Sequence, residues 1–330
     1  MFSPPTNEQE RAAPVVGGRS IYLPVAPNMN RQEVDAIINC ELCPRRCGVD
    51  RSSRRGFCQA PATVKLALVS LHQWEEPCLV GERGAGTIFF SHCTMRCVFC
   101  QNHEISSNGF GIEVSVERLA QIFIEQQSRG AANIELVTPT HYTDPIIDAL
   151  TLAKSRGLTL PVVWNSNGYE LTSTLDRLNG LVDLYLPDLK YFDDRIAVEY
   201  SSAPHYFDHA SQAIRTMFAQ VGRPIFNGEL MTRGVIVRHL VLPNHRRDSM
   251  AILDWLYQTF GDDIYISLMS QYTPMFRAES YKNLNRRLTT FEYQSVVDHA
   301  LELGIKNCFV QTGGASSTDF VPNFDGSFII

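Results

Sequence analysis

Three thiols stand within eight residues in the stretch Cys93-Thr94-Met95-Arg96-Cys97-Val98-Phe99-Cys100. Thiolates are the side chains that select iron–sulfur clusters and zinc, so this C-x3-C-x2-C loop can wrap around one inorganic centre. It supplies three ligands, and that number separates two chemistries. A structural zinc ion is closed by four protein ligands and would need His92 or His103 to complete its shell. A cubane iron–sulfur cluster on three cysteines instead leaves one iron open to a small molecule. Upstream, Cys40-x2-Cys43-x3-Cys47-x10-Cys58 places four more thiols in a stretch punctuated by Pro44, Gly48 and Gly56. Four ligands complete a shell for zinc or for a second iron–sulfur cluster, either structural or relaying electrons. Cys78 reads as a small buried side chain.

Eight of the nine cysteines lie between Cys40 and Cys100, and residues Met1 to Ser20 lack the apolar core of a secretory signal. Together these point to a cytoplasmic chain whose thiols are reduced metal ligands, not disulfides. No apolar run reaches membrane-spanning length. A net charge of −6 does not favour a nucleic-acid partner. The one basic run, Arg45 and Arg46 with Arg51, Arg54 and Arg55, reads as a solvated loop around a metal site; the other reading is contact with an acidic partner or RNA.

The elements that must position these residues follow from hydrophobic patterning. Residues 1–39 read as an irregular arm with a short helix from Asn30, 40–80 as a cysteine-rich metal-binding segment holding a strand from Val64 to Val69, and 81–330 as the main domain. Gly81-x2-Gly84-x-Gly86 precedes a strand, not a helix, and so reads as a tight turn rather than a phosphate loop. From Thr87 onward, six apolar strand runs alternate with helical patterns, with Cys308 to Gln311 as a further strand. The helices are begun by Ser115, by Asp144 as a cap ahead of Pro145, and by residues near Thr172, His209, Asp248 and Thr290. This is the pattern of an α/β fold, a partial (β/α)6 barrel, in which chemistry gathers at the carboxyl ends of the strands. Polar groups stand where that rule demands: Thr138-Pro139-Thr140-His141, Asn165-Ser166-Asn167, Asp188-Leu189-Lys190 and Ser270-Gln271-Tyr272 each follow a strand run. Arg238 and His239 sit mid-strand and must face opposite sides, so at least one points away from solvent.

The cysteine loop, with Phe99 in the aromatic position of C-x3-C-x-aromatic-C, resembles the signature of the radical S-adenosylmethionine (SAM) superfamily. About 270 residues, from Cys40 to Gln311, resemble its pyruvate formate-lyase activating enzyme-like subgroup, in a branch with an extra N-terminal cysteine motif. Matching stretches include Cys43-Pro44-Arg45-Arg46-Cys47-Gly48-Val49, Trp74-Glu75-Glu76-Pro77-Cys78, Val137-Thr138-Pro139-Thr140-His141, Leu186-Pro187-Asp188-Leu189-Lys190 and Arg238-His239-Leu240-Val241-Leu242-Pro243. The resemblance implies a [4Fe-4S] cluster on Cys93, Cys97 and Cys100 whose open iron chelates SAM and whose electron cleaves it to a 5′-deoxyadenosyl radical. It places Thr138 and Thr140 where activating enzymes carry a Gly-Gly-Glu segment for the methionyl amine; that segment is absent here, and hydroxyls or carbonyls take its place. It also assigns Asn165 and Asn167 to the ribose and Asp188 and Lys190 to the substrate side as catalytic residues, and gives Asn244 a position usually held by glycine. A flavodoxin- or ferredoxin-like electron donor and a protein substrate, as for a glycyl-radical activating enzyme, complete the expectation. The knuckle at Cys40–Cys58 departs from simple activating enzymes, which leaves open a small molecule, peptide or RNA as target and, in another class, a non-catalytic zinc or iron–sulfur scaffold.

Overall fold

In the computed structural model, residues 39–311, 322 and 324–329 are described. The arm expected over 1–39, with its helix from Asn30, lies outside them apart from Asn39. The strands are β1 (Val64–His72), β2 (Ala85–Phe90), β3 (Ile112–Val114), β4 (Ile134–Val137), β5 (Val162–Ser166), β6 (Leu184–Pro187), β7 (Ile225–Asn227), β8 (Leu230–Leu240), β9 (Tyr265–Met269) and β10 (Cys308–Val310). β2, β4, β5, β6, β8, β9 and β10 are neighbours in that order, and every pair is parallel. The fold is thus α/β with a mostly parallel sheet, a partial barrel as expected, with β10 supplying the further strand.

β1 pairs antiparallel with β2, and β3 pairs antiparallel with β1, so one end of the sheet is a meander. β1 lies within the stretch expected as a cysteine-rich segment, yet it is hydrogen-bonded into the main sheet. Three-residue β3 and β7 carry too little periodicity to be read from sequence; each exists because a longer neighbour pairs with it.

Parallel strands are buried on both faces, so their side chains sort by alternation. Ile134 and Leu136 of β4, Val162 and Trp164 of β5, and Val235 and Val237 of β8 pack outward with the helices in the main core. Val163, Leu184, Leu186 and Ile236 face inward and pack with Cys78 and Leu79 of the short helix Pro77–Val80, which closes the amino-terminal end of the barrel. Cys78 is therefore an apolar filler, as read. Gly86 of β2 is required by close approach, since a Cβ there would stand 2.6 Å from the Asn133 carbonyl oxygen.

Helix starts follow local chemistry. Ser115 caps Val116–Ser128 by accepting from Arg118 N at 3.1 Å, and Thr289 with Glu292 forms a capping box on Thr290–Leu303. Asp144 is a correction: the helix spans Thr143–Ser155, and Asp144 lies inside its first turn, paired with Arg177 instead of capping. Asn244 adopts φ +66°, the left-handed turn expected where a glycine is usual.

Candidate active site

The same alternation aims the next inward layer at a cleft of about 500 Å³ over the carboxyl ends of the parallel strands. Cys97, Phe99 and Cys100 line it on one side, and Thr138, Asn165, Asp188, Lys190, Arg238 and Gln271 on others. Most residues foreseen for the cluster, SAM and substrate therefore converge on the cleft; Cys93, Thr140 and Asn167 do not line it. Thr140 is buried and donates to Glu170 at 2.9 Å. Asn167 turns away from the cleft toward the cysteine loop, where its Nδ2 reaches Cys93 Sγ at 3.3 Å and Thr94 Oγ1 at 3.0 Å.

Each signature sulfur receives a polar partner. Cys93 Sγ accepts from Met95 N at 3.4 Å as well as from Asn167, Cys97 Sγ accepts from Ser201 Oγ at 3.0 Å, and Cys100 Sγ meets Ser106 Oγ at 3.2 Å. Phe99 packs edge-on against Tyr272, 5.8 Å between centroids. Burial, reinforced by the neighbouring Cys97 thiol, pushes Cys93 up to about 12 and Cys100 up to about 11; burial also raises Cys97. Such thiols remain protonated unless a bound metal displaces the proton, and the N–H and O–H groups aimed at the sulfurs favour the thiolate form once it does. The donor set thus fits a cluster. Of the two imidazoles that could close a zinc shell, His103 stacks on Phe276 at 4.9 Å and the His92 ring lies against Gly109, and Nδ1 of each is buried without a hydrogen-bond partner among the described residues. Among the described residues, no three Cys, His, Asp or Glu side chains converge as the shell of a single ion does.

On the opposite wall Thr138 adopts φ +60°, and its N–H donates to Asn165 O at 2.8 Å. Lys190 Nζ stands 2.6 Å from Asp188 Oδ2. Burial disfavours the ammonium, but the Asp188 charge outweighs it and raises the Lys190 pKa. Gly168 holds this strand end in place: its φ is +74°, and a Cβ would meet the Asp188 carbonyl oxygen at 2.2 Å.

Sequence reasoning assigned no site role to the floor of the cleft. Arg238 of β8 bonds Glu76 through Nε at 2.8 Å and Nη2 at 2.6 Å, and also reaches Glu75. His72 Nδ1 lies 2.7 Å from Glu75 Oε1. Burial works against the Glu75 carboxylate, but the Arg238 charge and the His72 contact outweigh it and pull its pKa down to about 2. Glu135 of β4 is fully buried beside them and accepts from Asn165 Nδ2 at 2.7 Å. Burial, with Glu75 adding, pushes its carboxyl well above the usual range. The available signal was a charged residue on the inward phase of a strand, at 135 and at 238. His239 takes the outward phase and is buried between Leu189 O at 2.6 Å and Ser249 Oγ at 2.8 Å.

The N-terminal knuckle packs directly beside the signature loop. Turns close it through Arg46 N to Cys43 O and Gly48 N to Cys40 O, each 3.0 Å, and Phe57 N donates to Cys47 Sγ at 3.3 Å. Cys40, Cys43 and Cys58 are buried and Cys47 partly so; burial, with the neighbouring thiols adding, raises Cys43 to about 12. The basic run corrects the solvated-loop reading. Arg51 is buried and donates to the His141 and Pro61 carbonyls, while Arg45 donates to Thr94 O at 3.0 Å and stacks 3.7 Å over Phe57. Arg46, Arg54 and Arg55 alone remain exposed.

Comparison with known proteins agrees with this geometry. The radical SAM superfamily profile matches residues 87–255. An uncharacterized protein of Methanocaldococcus jannaschii is 33% identical over 280 residues, covering 81% of this chain and 75% of that one. Among solved structures, Streptococcus suis SuiB bound to its precursor peptide SuiA matches with a TM-score of 0.48 and 13% identity over 67% of this chain, which spans 47% of SuiB. A radical SAM methyltransferase from Sphaerobacter thermophilus matches with a TM-score of 0.48 and 14% identity over 72% of this chain and 69% of that one. Because the profile begins at the strand feeding the cysteine loop and spans just over half of the chain, the protein belongs to the radical SAM superfamily.

Proposed function

We propose that Cys93, Cys97 and Cys100 hold the [4Fe-4S] cluster that membership of the superfamily implies, and that SAM binds in the adjoining cleft. When bound, such a cluster supplies the electron that cleaves SAM reductively to a 5′-deoxyadenosyl radical. The protein's own residues shape what surrounds that event. Asn167, Ser201 and Ser106 orient the three sulfurs; Phe99, braced by Tyr272, walls the cleft beside them. Thr138 and Asn165 offer hydroxyl, carbonyl and amide groups to the SAM amine and ribose. Asp188 and Lys190, held as a partly buried ion pair, face the substrate, and the apolar plug below excludes water from the barrel. Thr140 supports this wall only through Glu170. The observation that carries the reading is that two of the signature thiols, Cys97 and Cys100, and the polar ends of β4, β5 and β6 line one cleft.

The target is a C–H bond of a protein substrate, in the manner of a glycyl-radical activating enzyme; the motif resemblance supports this part. Cys40, Cys43, Cys47 and Cys58, which do not converge as the shell of a single ion, hold a second centre, an iron–sulfur cluster, beside the first through the Arg45 contact to Thr94 O. A flavodoxin- or ferredoxin-like protein supplies the electron. Anaerobically reconstituted and reduced protein should form 5′-deoxyadenosine from SAM, and Cys97→Ala should not. Iron-loaded wild type that forms none would overturn the radical reading.

A further inference from the structure

Along the floor of the cleft the hydrogen-bond donors and acceptors do not balance. Glu76 receives Arg238 on both carboxyl oxygens; Glu75 receives Arg238 on one and His72 on the other. Arg238 is thereby committed to two carboxylates that reach it from the segment after β1. Independently, β4 brings a third carboxyl from the opposite side. Glu135 shares its strand phase with Val137, which lines the cleft, and its Oε1 is held by Asn165, another lining residue. Its Oε2 is fully buried and has no hydrogen-bond partner among the described residues. A lone buried carboxyl oxygen costs about 1–3 kcal/mol, which a structure retains where a ligand satisfies it. Higher in the cleft, Asp188 is already neutralised by Lys190. Two carboxylates against the one guanidinium of Arg238 leave the floor with surplus negative charge, and Glu135 Oε2 is left without a partner whether it is ionised and wants a donor or protonated and wants an acceptor.

A cation that donates hydrogen bonds answers both, since it offsets the charge and favours the ionised carboxylate that accepts from it; a neutral acceptor meets only a protonated Glu135 and leaves the charge, and an anion adds to it. We propose that Glu75 and Glu76, which line the floor, with Glu135 buried behind Asn165, form a substrate subsite for an ammonium or guanidinium group, such as a lysine or arginine side chain of a protein substrate presents. The assignment rests on the radical SAM reading of the same cleft and adds the substrate's chemistry to it. The apolar plug of Val163, Leu186 and Ile236 under the floor halts the chain that carries the cation, placing its methylene groups beside the thiol wall. Burial, with the Glu75 charge adding, favours the protonated Glu135 carboxyl, and a cation beside it favours the ionised form, so capture draws that proton out.

The test uses SAM-loaded, cluster-reconstituted protein and a matched pair of probes, n-pentylamine and 1-pentanol, titrated calorimetrically in two buffers of different ionisation enthalpy. The expected result is an amine preference of about tenfold, the margin of a charge-assisted hydrogen bond over a neutral one, with a proton released on amine binding. Glu135→Gln keeps the shape and the acceptor for Asn165, and should cut the preference to under threefold and abolish proton release. Equal binding of amine and alcohol by wild type would overturn the proposal, and so would an undiminished preference in Glu135→Gln. Displacement of SAM by the amine would also overturn it, because the floor would then be part of the SAM site. Failure to form 5′-deoxyadenosine in the same preparation refutes the radical reading and leaves the amine preference to be judged by the titration.

Discussion

Arg238→Met removes the one cation that the structure places between Glu75 and Glu76, and its cost can be worked from that environment. Glu75 is nearly inaccessible, with 7% of its side chain exposed, yet its pKa falls from 4.5 to about 2. A carboxyl shifted that far contributes about 3 kcal/mol of stability, within the range of about 3–5 kcal/mol for breaking one partner of a buried pair. The sign follows from proton uptake. In the wild type this contribution is fully present above the unfolded value of 4.5 and is lost as pH falls through about 2. Without Arg238, only the His72 contact still opposes burial, and the Glu75 carboxyl rises above its ordinary value. The folded variant then binds more protons than the unfolded chain over mildly acidic pH, so acidification stabilises it relative to wild type. Denaturant midpoints of the anaerobic proteins should show a deficit of about 3 kcal/mol at pH 8, smaller by at least about 1 kcal/mol at pH 5.5. An equal deficit at both pH values would refute the electrostatic argument and reduce Arg238 to a packing group.

Gly168→Ala should shift Asp188, since the new Cβ would stand 2.2 Å from its carbonyl oxygen; at least about a tenfold loss of 5′-deoxyadenosine formation with iron content retained is the expected outcome. Asn167→Leu removes the N–H group from Cys93 Sγ; a smaller fraction of cluster reduced at fixed dithionite, read by electron paramagnetic resonance, should follow, because donors to sulfur favour the reduced cluster. Glu292→Gln weakens the pair with Arg286 and the box with Thr289, both distant from the cleft. It should lower stability by about 1–2 kcal/mol at neutral pH without altering SAM cleavage. Its hydrogen bonds hold the Glu292 carboxylate well below the usual range, so that difference should fade as the solution is acidified below the unfolded carboxyl value.

Much of the fold was legible because its causes are local. The apolar strand runs, the Ser115 cap, the boundaries at Thr290 and Leu303, and the left-handed Asn244 all depend on residues within a few positions of one another. Asp144 was misread for the same reason: a capping residue type ahead of a proline fits the rule, but its carboxylate is drawn to Arg177, 33 residues away. The two cysteine sets were equally plain, since ligand spacing is a property of the chain itself.

Tertiary structure decided which candidates meet. Thr138 and Thr140 are two residues apart, as are Asn165 and Asn167, yet one of each pair lines the cleft while the other braces Glu170 or Cys93. Arg45 and Arg51 read as loop charges until the carbonyls of Thr94 and His141 were brought to them from across the fold. The cleft floor was invisible for a stronger reason. Glu75 and Glu76 meet Arg238 across 163 and 162 residues, and Glu135 reaches the same layer only through the register of β4 with its neighbours. Spacing and capping chemistry act over a turn or a strand and are written in order along the chain. The desolvation and pairing of charges depend on what the closed sheet sets within a few ångströms, and no local pattern records it.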